Sequence, residues 1–162
     1  MYLSAMEFLE EEREEWAPYE ALADLSDEDL ERPTDPDGPA RGWTGRDLAG
    51  HIVAWLEVAL GIARDLAVGE QSRTSAEIDA AWEAEGDALN ERLMATWRAL
   101  PLEEVRRRIR EVPGELRGTL TVVPEARWIK SPERMETFVG ETIEHYQEHR
   151  PELAVILGAA GR

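Results

Sequence analysis

The chain contains three histidines and no cysteine, so any metal chemistry of its own has to run through imidazole and carboxylate ligands. His145 and His149 stand in "TIEHYQEHRPEL" at i and i+4, a spacing that puts both side chains on one helix face, one turn apart. Zinc, nickel and related ions accept imidazole nitrogen at about 2.0–2.1 Å, so the pair suits such an ion without distorting the backbone. On that helix the two continue the line of Phe138 and Thr142 towards Glu152 and Ile156, beside the apolar stripe. His51, in "WTGRDLAGHIVAWL", falls on the line Leu48, His51, Trp55, Val58 and Ile62 and is aimed inward as well. Burying three imidazoles without partners would cost up to several kcal/mol, and one shared ion accounts for all three. The competing reading makes each a half-buried helix residue bonded to water or to a carboxylate. Three ligands leave at least one coordination position open, which is the pattern of a catalytic rather than a closed structural site.

Several neighbours have a second role to weigh. Asp47, one turn before His51, could orient that ring, but its position also suits a helix cap. Glu141, one turn before His145, reads first as a solvated residue. Glu83, Asn90 and Trp82 could line the mouth of a pocket, with Trp82 read first as a core aromatic. There is no glycine-rich phosphate loop, no G-x-S-x-G elbow and no H-E-x-x-H, since the second pair reads H-Y-x-E-H.

These residues need helices to hold them. Ser4 with Glu7 opens a helix over about 4–24 that Pro18 should kink or break, and Ser26 with Asp29 caps a short extra turn. "RPTDPDGPARG" at 32–42 is a loop of breakers. Thr44 with Asp47 caps a second helix that runs to Leu66 and is closed by Gly69. Thr74 with Glu77 opens a third, with Ile78, Trp82, Leu89, Leu93 and Trp97 as its apolar stripe. Residues 102–111 add a short helix, and 112–130, with Pro113, Gly114, Gly118 and Pro124 around "TLTVV", read as a long crossover with one short extended pair. Ser131 and Pro132 start the last helix, which carries Met135, Phe138, Val139, Ile143, Tyr146, Leu153 and Ile156 inward and should bend at Pro151. Four amphipathic segments with one long crossover predict an all-α four-helix bundle.

Length and charge restrict partners. A chain of 162 residues fits one domain, 1–162, and 43% apolar against 33% charged residues is globular composition. Thirty-five acidic against 18 basic residues leave a net charge of −17, which repels nucleic acid and anionic membrane surfaces. Arg106, Arg107, Arg108 and Arg110 run against that trend and read as a solvated helix face. "MYLSAMEFLEEEREEW" has no basic region followed by an apolar run, and no stretch approaches 18 apolar residues, so the expected location is the cytoplasm. Exposed apolar helix faces leave a homodimer open.

"GWTGRDLAGHIVAWLEVAL", with Trp43, Asp47, Leu48, His51 and Trp55, resembles the second-helix signature of the DinB-like superfamily, and "HYQEH" resembles its fourth-helix signature. The resemblance runs through nearly the whole chain in helix order and is specific at those two segments. It implies an up-down-down-up four-helix bundle with a long crossover between helices 3 and 4, and a divalent zinc or nickel ion held by His51, His145 and His149. It also implies relatives that are thiol transferases or isomerases using bacillithiol, mycothiol or glutathione, and a ClbS-like branch similar in the "HYQEH" region. The expected function is transfer of a low-molecular-weight thiol to a small-molecule electrophile, with the ion lowering the thiol's pKa. A metal-hydroxide hydrolase and a non-catalytic binding or sequestering protein remain as alternatives on the same scaffold.

Overall fold

A computed structural model describes residues 1–162 and is helical throughout, with no strand. Helix α1 (Ala5–Trp16) begins where the Ser4 hydroxyl accepts the Glu7 N–H at 3.3 Å. Pro18 has no N–H to continue the ladder, so α1 stops at Trp16 and the chain tightens into a 3₁₀ turn over Ala17–Asp24. Ser26 then caps the single turn α2 (Asp27–Leu30). After the proline-rich loop, Thr44 and Asp47 form a reciprocal capping box at 3.1 and 3.0 Å, and α3 (Gly45–Val68) runs from it through the centre of the molecule.

The third predicted helix is two. Ser72 rather than Thr74 caps α4 (Arg73–Glu85), and Gly86, at φ 55° and ψ −132°, breaks the run before α5 (Asp87–Arg98). That backbone conformation is open essentially to glycine alone. The split explains why the predicted stripe fails in its first half: α4 buries no residue, and Trp82 is 47% exposed rather than a core aromatic. Only Leu89, Met94 and Trp97, all on α5, are buried. Gly50 on α3 lets α5 dock, because a Cβ there would stand 2.8 Å from the Trp97 Cβ.

The predicted crossover over 112–130, with its extended pair, is also corrected. Helix α6 runs unbroken over Leu102–Val122 with Pro113 inside it, and only a 3₁₀ turn at Glu125–Arg127 and a short link follow. An interior proline costs ~3 kcal/mol. Val105, Ile109, Val112, Leu116 and Leu120 lie at spacings of three and four and are all buried, and at about 1.5–3 kcal/mol per buried side chain they outweigh it. The arginine cluster on this helix is paired rather than simply solvated. Arg106 donates to the Leu25 carbonyl at 2.9 Å and Arg110 to that of Ala23 at 3.0 Å, tying α6 to the 3₁₀ turn, while Arg108 meets Glu57 on α3 at 3.0 Å.

The last run is broken into α7 (Pro132–Val139), a π turn (Gly140–Glu144), α8 (His145–Glu148) and α9 (Arg150–Ala159). One apolar core joins residues of 8–30, 48–66, 105–123 and 128–156, with Trp97 the one buried contribution from α4 and α5. No helix is long and apolar enough to cross a membrane.

Candidate metal centre

Helix α3 presents His51 from its second turn, with the Trp43 ring 5.2 Å away. The last run presents His145 and His149 across two irregularities. The π turn just before His145 inserts one extra residue into the ladder, a feature that commonly re-aims side chains at functional sites. His149 then sits at a joint, at φ −95° and ψ 8°, because Pro151 cannot donate to the Gln147 carbonyl and its ring crowds the preceding turn. The bend predicted at Pro151 therefore falls two residues earlier, on a site residue. Helix α8 is clamped from behind: the Tyr146 hydroxyl donates to buried Glu12 at 2.9 Å, Arg117 holds the other oxygen of Glu12 at 2.7 Å, and the Tyr19 hydroxyl donates to the Tyr146 carbonyl.

The three rings meet. His51 Nε2 lies 2.9 Å from His145 Nε2 and 3.1 Å from His149 Nε2, with ring planes 79° and 78° apart. The nearest ligand atoms of all three lie within 4.8 Å of one another. A shared proton could reconcile one pair of nitrogens at such distances but not three at once, whereas one cation at their centre satisfies every lone pair. Ligand nitrogens on a tetrahedral ion stand roughly 3.3 Å apart, so the spacing fits a divalent ion after a small outward relaxation.

Tautomers follow from the far side of the ring. His149 Nδ1 faces Glu152 Oε1 at 3.3 Å, and the same oxygen accepts from Arg41 Nη2 at 3.0 Å. An acceptor-only carboxylate there keeps the ring proton on Nδ1 and leaves Nε2 free as a ligand. Arg41 also lies over the Trp43 ring at 4.7 Å, and Trp43 stacks against His149 with ring centroids 5.8 Å apart. Burial lowers the His51 imidazole to about 4 and the His145 imidazole to about 3, with the neighbouring rings adding to the shift, so both are held neutral and ready to ligate.

The histidines form the inner end of a cavity of about 920 Å³. Asn90 and Trp82 line it as predicted, but Glu83 does not. Asn90 accepts the Trp55 indole N–H at 2.8 Å, and Trp82 meets Trp55 edge-on at 6.1 Å. Asp47 stays a cap: one oxygen closes the capping box and the other accepts Arg98 Nε at 2.9 Å. Glu141 departs from the solvated reading. It lines the cavity, and burial pushes its carboxyl up to about 7. Sequence spacing put Glu152 on the histidine line without giving it a role, and did not point to Arg41. The first is i+3 from His149 across a helix break, and the second comes from the loop before α3; an acidic residue one turn after a candidate ligand was the only available signal.

Residues 9–147 match the family described as mycothiol maleylpyruvate isomerase N-terminal domain, a stretch that takes in His51 and His145 and stops two residues short of His149. No curated protein and no solved structure matches the chain. With most of its length covered, the chain belongs to the mycothiol maleylpyruvate isomerase N-terminal domain family, a member of the DinB-like superfamily.

Proposed function

We propose that the chain is a metal-dependent enzyme in which His51, His145 and His149 hold one zinc or nickel ion and a low-molecular-weight thiol is joined to an electrophilic small molecule. The observation that carries this reading is the convergence of three Nε2 atoms from two helices, with Glu152 fixing the His149 tautomer, at the end of a large cavity. An ion held by the three imidazoles would supply the lowered pKa that turns a bound thiol into a thiolate. Glu141 receives the thiol proton on its carboxylate, since a group near 7 exchanges protons readily at neutral pH. Trp43 and Arg41 cover the outer side of His149 and exclude water from its hydrogen bond with Glu152. Family membership favours mycothiol as the thiol. It does not favour maleylpyruvate as the electrophile, because a dicarboxylate would meet a cavity wall rich in carboxylates.

We read the four helical stretches that share the core as the DinB-like up-down-down-up bundle, with α4 and α5 as a long connection between its second and third helices in place of the crossover expected between the third and fourth, and the whole of 1–162 as one domain. The single apolar core supports both statements.

The test uses cobalt-substituted protein. Adding mycothiol should produce a sulfur-to-metal charge-transfer band, and the protein should then conjugate mycothiol to a model electrophile. Bacillithiol and glutathione serve as comparisons and His51→Ala as the control. No band and no thiol-dependent turnover with any of the three thiols contradicts the transferase reading. Activity without thiol, following one ionisation near pH 7, would identify a hydrolase instead, and neither activity a binding protein.

A further inference from the structure

Beyond the histidines, the cavity wall has an unusual pairing of chemistries. Asp79, Asp87, Glu91, Glu141 and Glu148 all line it, and none of these five carboxylates forms an ion pair, although nearly every arginine of the chain has a carboxylate or carbonyl partner. Arg41, the one cationic residue of the lining, is already committed to Glu152. Alongside the acids stands an aromatic wall. Trp82 leaves 47% of its surface open on α4, a helix that buries nothing, and its exposed ring stands beside Trp55, which Asn90 holds in place. A large indole left half-exposed inside a concave site is an unfilled contact surface. Indole faces attract cations, and surrounding carboxylates raise the local concentration of positive charge.

We propose that the outer part of this cavity binds an electrophile that carries an organic cation on a flat apolar body, such as an arylalkyl quaternary ammonium group, with Trp82 and Trp55 as its platform and Asp79 and Glu91 as its counter-charges. The inference rests on the cavity being the substrate site and names the class of its second substrate. It also divides the cavity electrically: the end at the three imidazoles would take an anionic or thiol group, and the acidic, aromatic end the positive charge. A ligand with both features spans the site in one orientation only.

Binding to metal-loaded protein of measured metal content is followed by calorimetry at low ionic strength with three probes of one size class: benzyltrimethylammonium, benzyl alcohol and benzenesulfonate, the last chosen because it is a poor metal ligand. The expected order is cation, then alcohol, then sulfonate, with the cation at least roughly tenfold tighter than the sulfonate and the gap narrowing as salt is raised. Trp82→Ala should weaken the cation by at least about fivefold, and because Trp82 supports no core its loss leaves the fold intact. The double substitution Asp79→Asn, Glu91→Gln should weaken the cation and leave the alcohol within about twofold. Equal affinities, a sulfonate that binds as well as the cation, or binding by none of the three overturns the proposal. Thiol ligation read on the same cobalt-substituted protein reports on the transferase reading separately, so either can fail while the other stands.

Discussion

Glu152 makes no contact with the centre of the three nitrogens, yet it decides which nitrogen of His149 faces that centre. Removing it leaves the ring free to protonate on Nε2, and substitutions at such positions cost about 10–100-fold in metal affinity. Glu152→Ala is expected to weaken zinc binding by that factor in a competition titration while leaving the helical spectrum unchanged; unaltered affinity would show that Glu152 only holds Arg41. The lowered imidazoles give a second expectation. A folded pKa of about 4 for His51 and about 3 for His145 lies below the ordinary 6.5, so between those limits the folded chain holds fewer protons than the unfolded one. These two residues therefore favour folding fully above about pH 6.5 and lose that contribution as pH falls towards 4. In metal-free protein their ring proton resonances should not move between pH 8 and 5.5, and a midpoint near 6.5 would mean that the rings are open to water. Local spacing made the three histidines legible in the sequence. The raised Glu141 and the placement of Glu152 were not, because burial and a partner from a distant loop have no signature in spacing.

Caps and prolines carried most of the element boundaries, since Ser4, Ser26 and Thr44 act through residues only three positions away. The two failures have the opposite origin. Pro113, Gly114 and Gly118 are local breakers, and α6 forms through them because its buried face belongs to a core built by distant segments. Ile78 and Trp82 keep helical spacing, but they line the cavity rather than the core, and α4 buries no residue. Two outcomes follow. Leu116→Ala should destabilise the protein by about 2–5 kcal/mol in urea unfolding, whereas an effect under 1 kcal/mol would return 112–122 to the status of a loop. Backbone amides of α4 should exchange at least roughly tenfold faster than those of α3, since a helix with no buried residue opens without disturbing the core. Equal protection of the two would mean that α4 is covered by something other than the contacts described.

At the scale of the molecule, three converging histidines stand within a strongly acidic chain. The net charge of −17 repels phosphate backbones and also concentrates divalent cations near the protein, so weak surface binding of metal is expected beside any specific site. A site built by His51, His145 and His149 would differ in drawing its ligands from α3 and the last helical run and in the tautomer that Glu152 sets on His149. The measurement that tests it most directly is the metal content of protein purified without a histidine tag and dialysed at 0.5 M salt, where surface-bound ions are screened away. Close to one zinc or nickel ion per wild-type chain is expected, and far less than one in each of His51→Ala, His145→Ala and His149→Ala with helical content retained. A wild-type chain free of metal after zinc or nickel loading, or a double variant His145→Ala, His149→Ala that keeps the full complement, would contradict it.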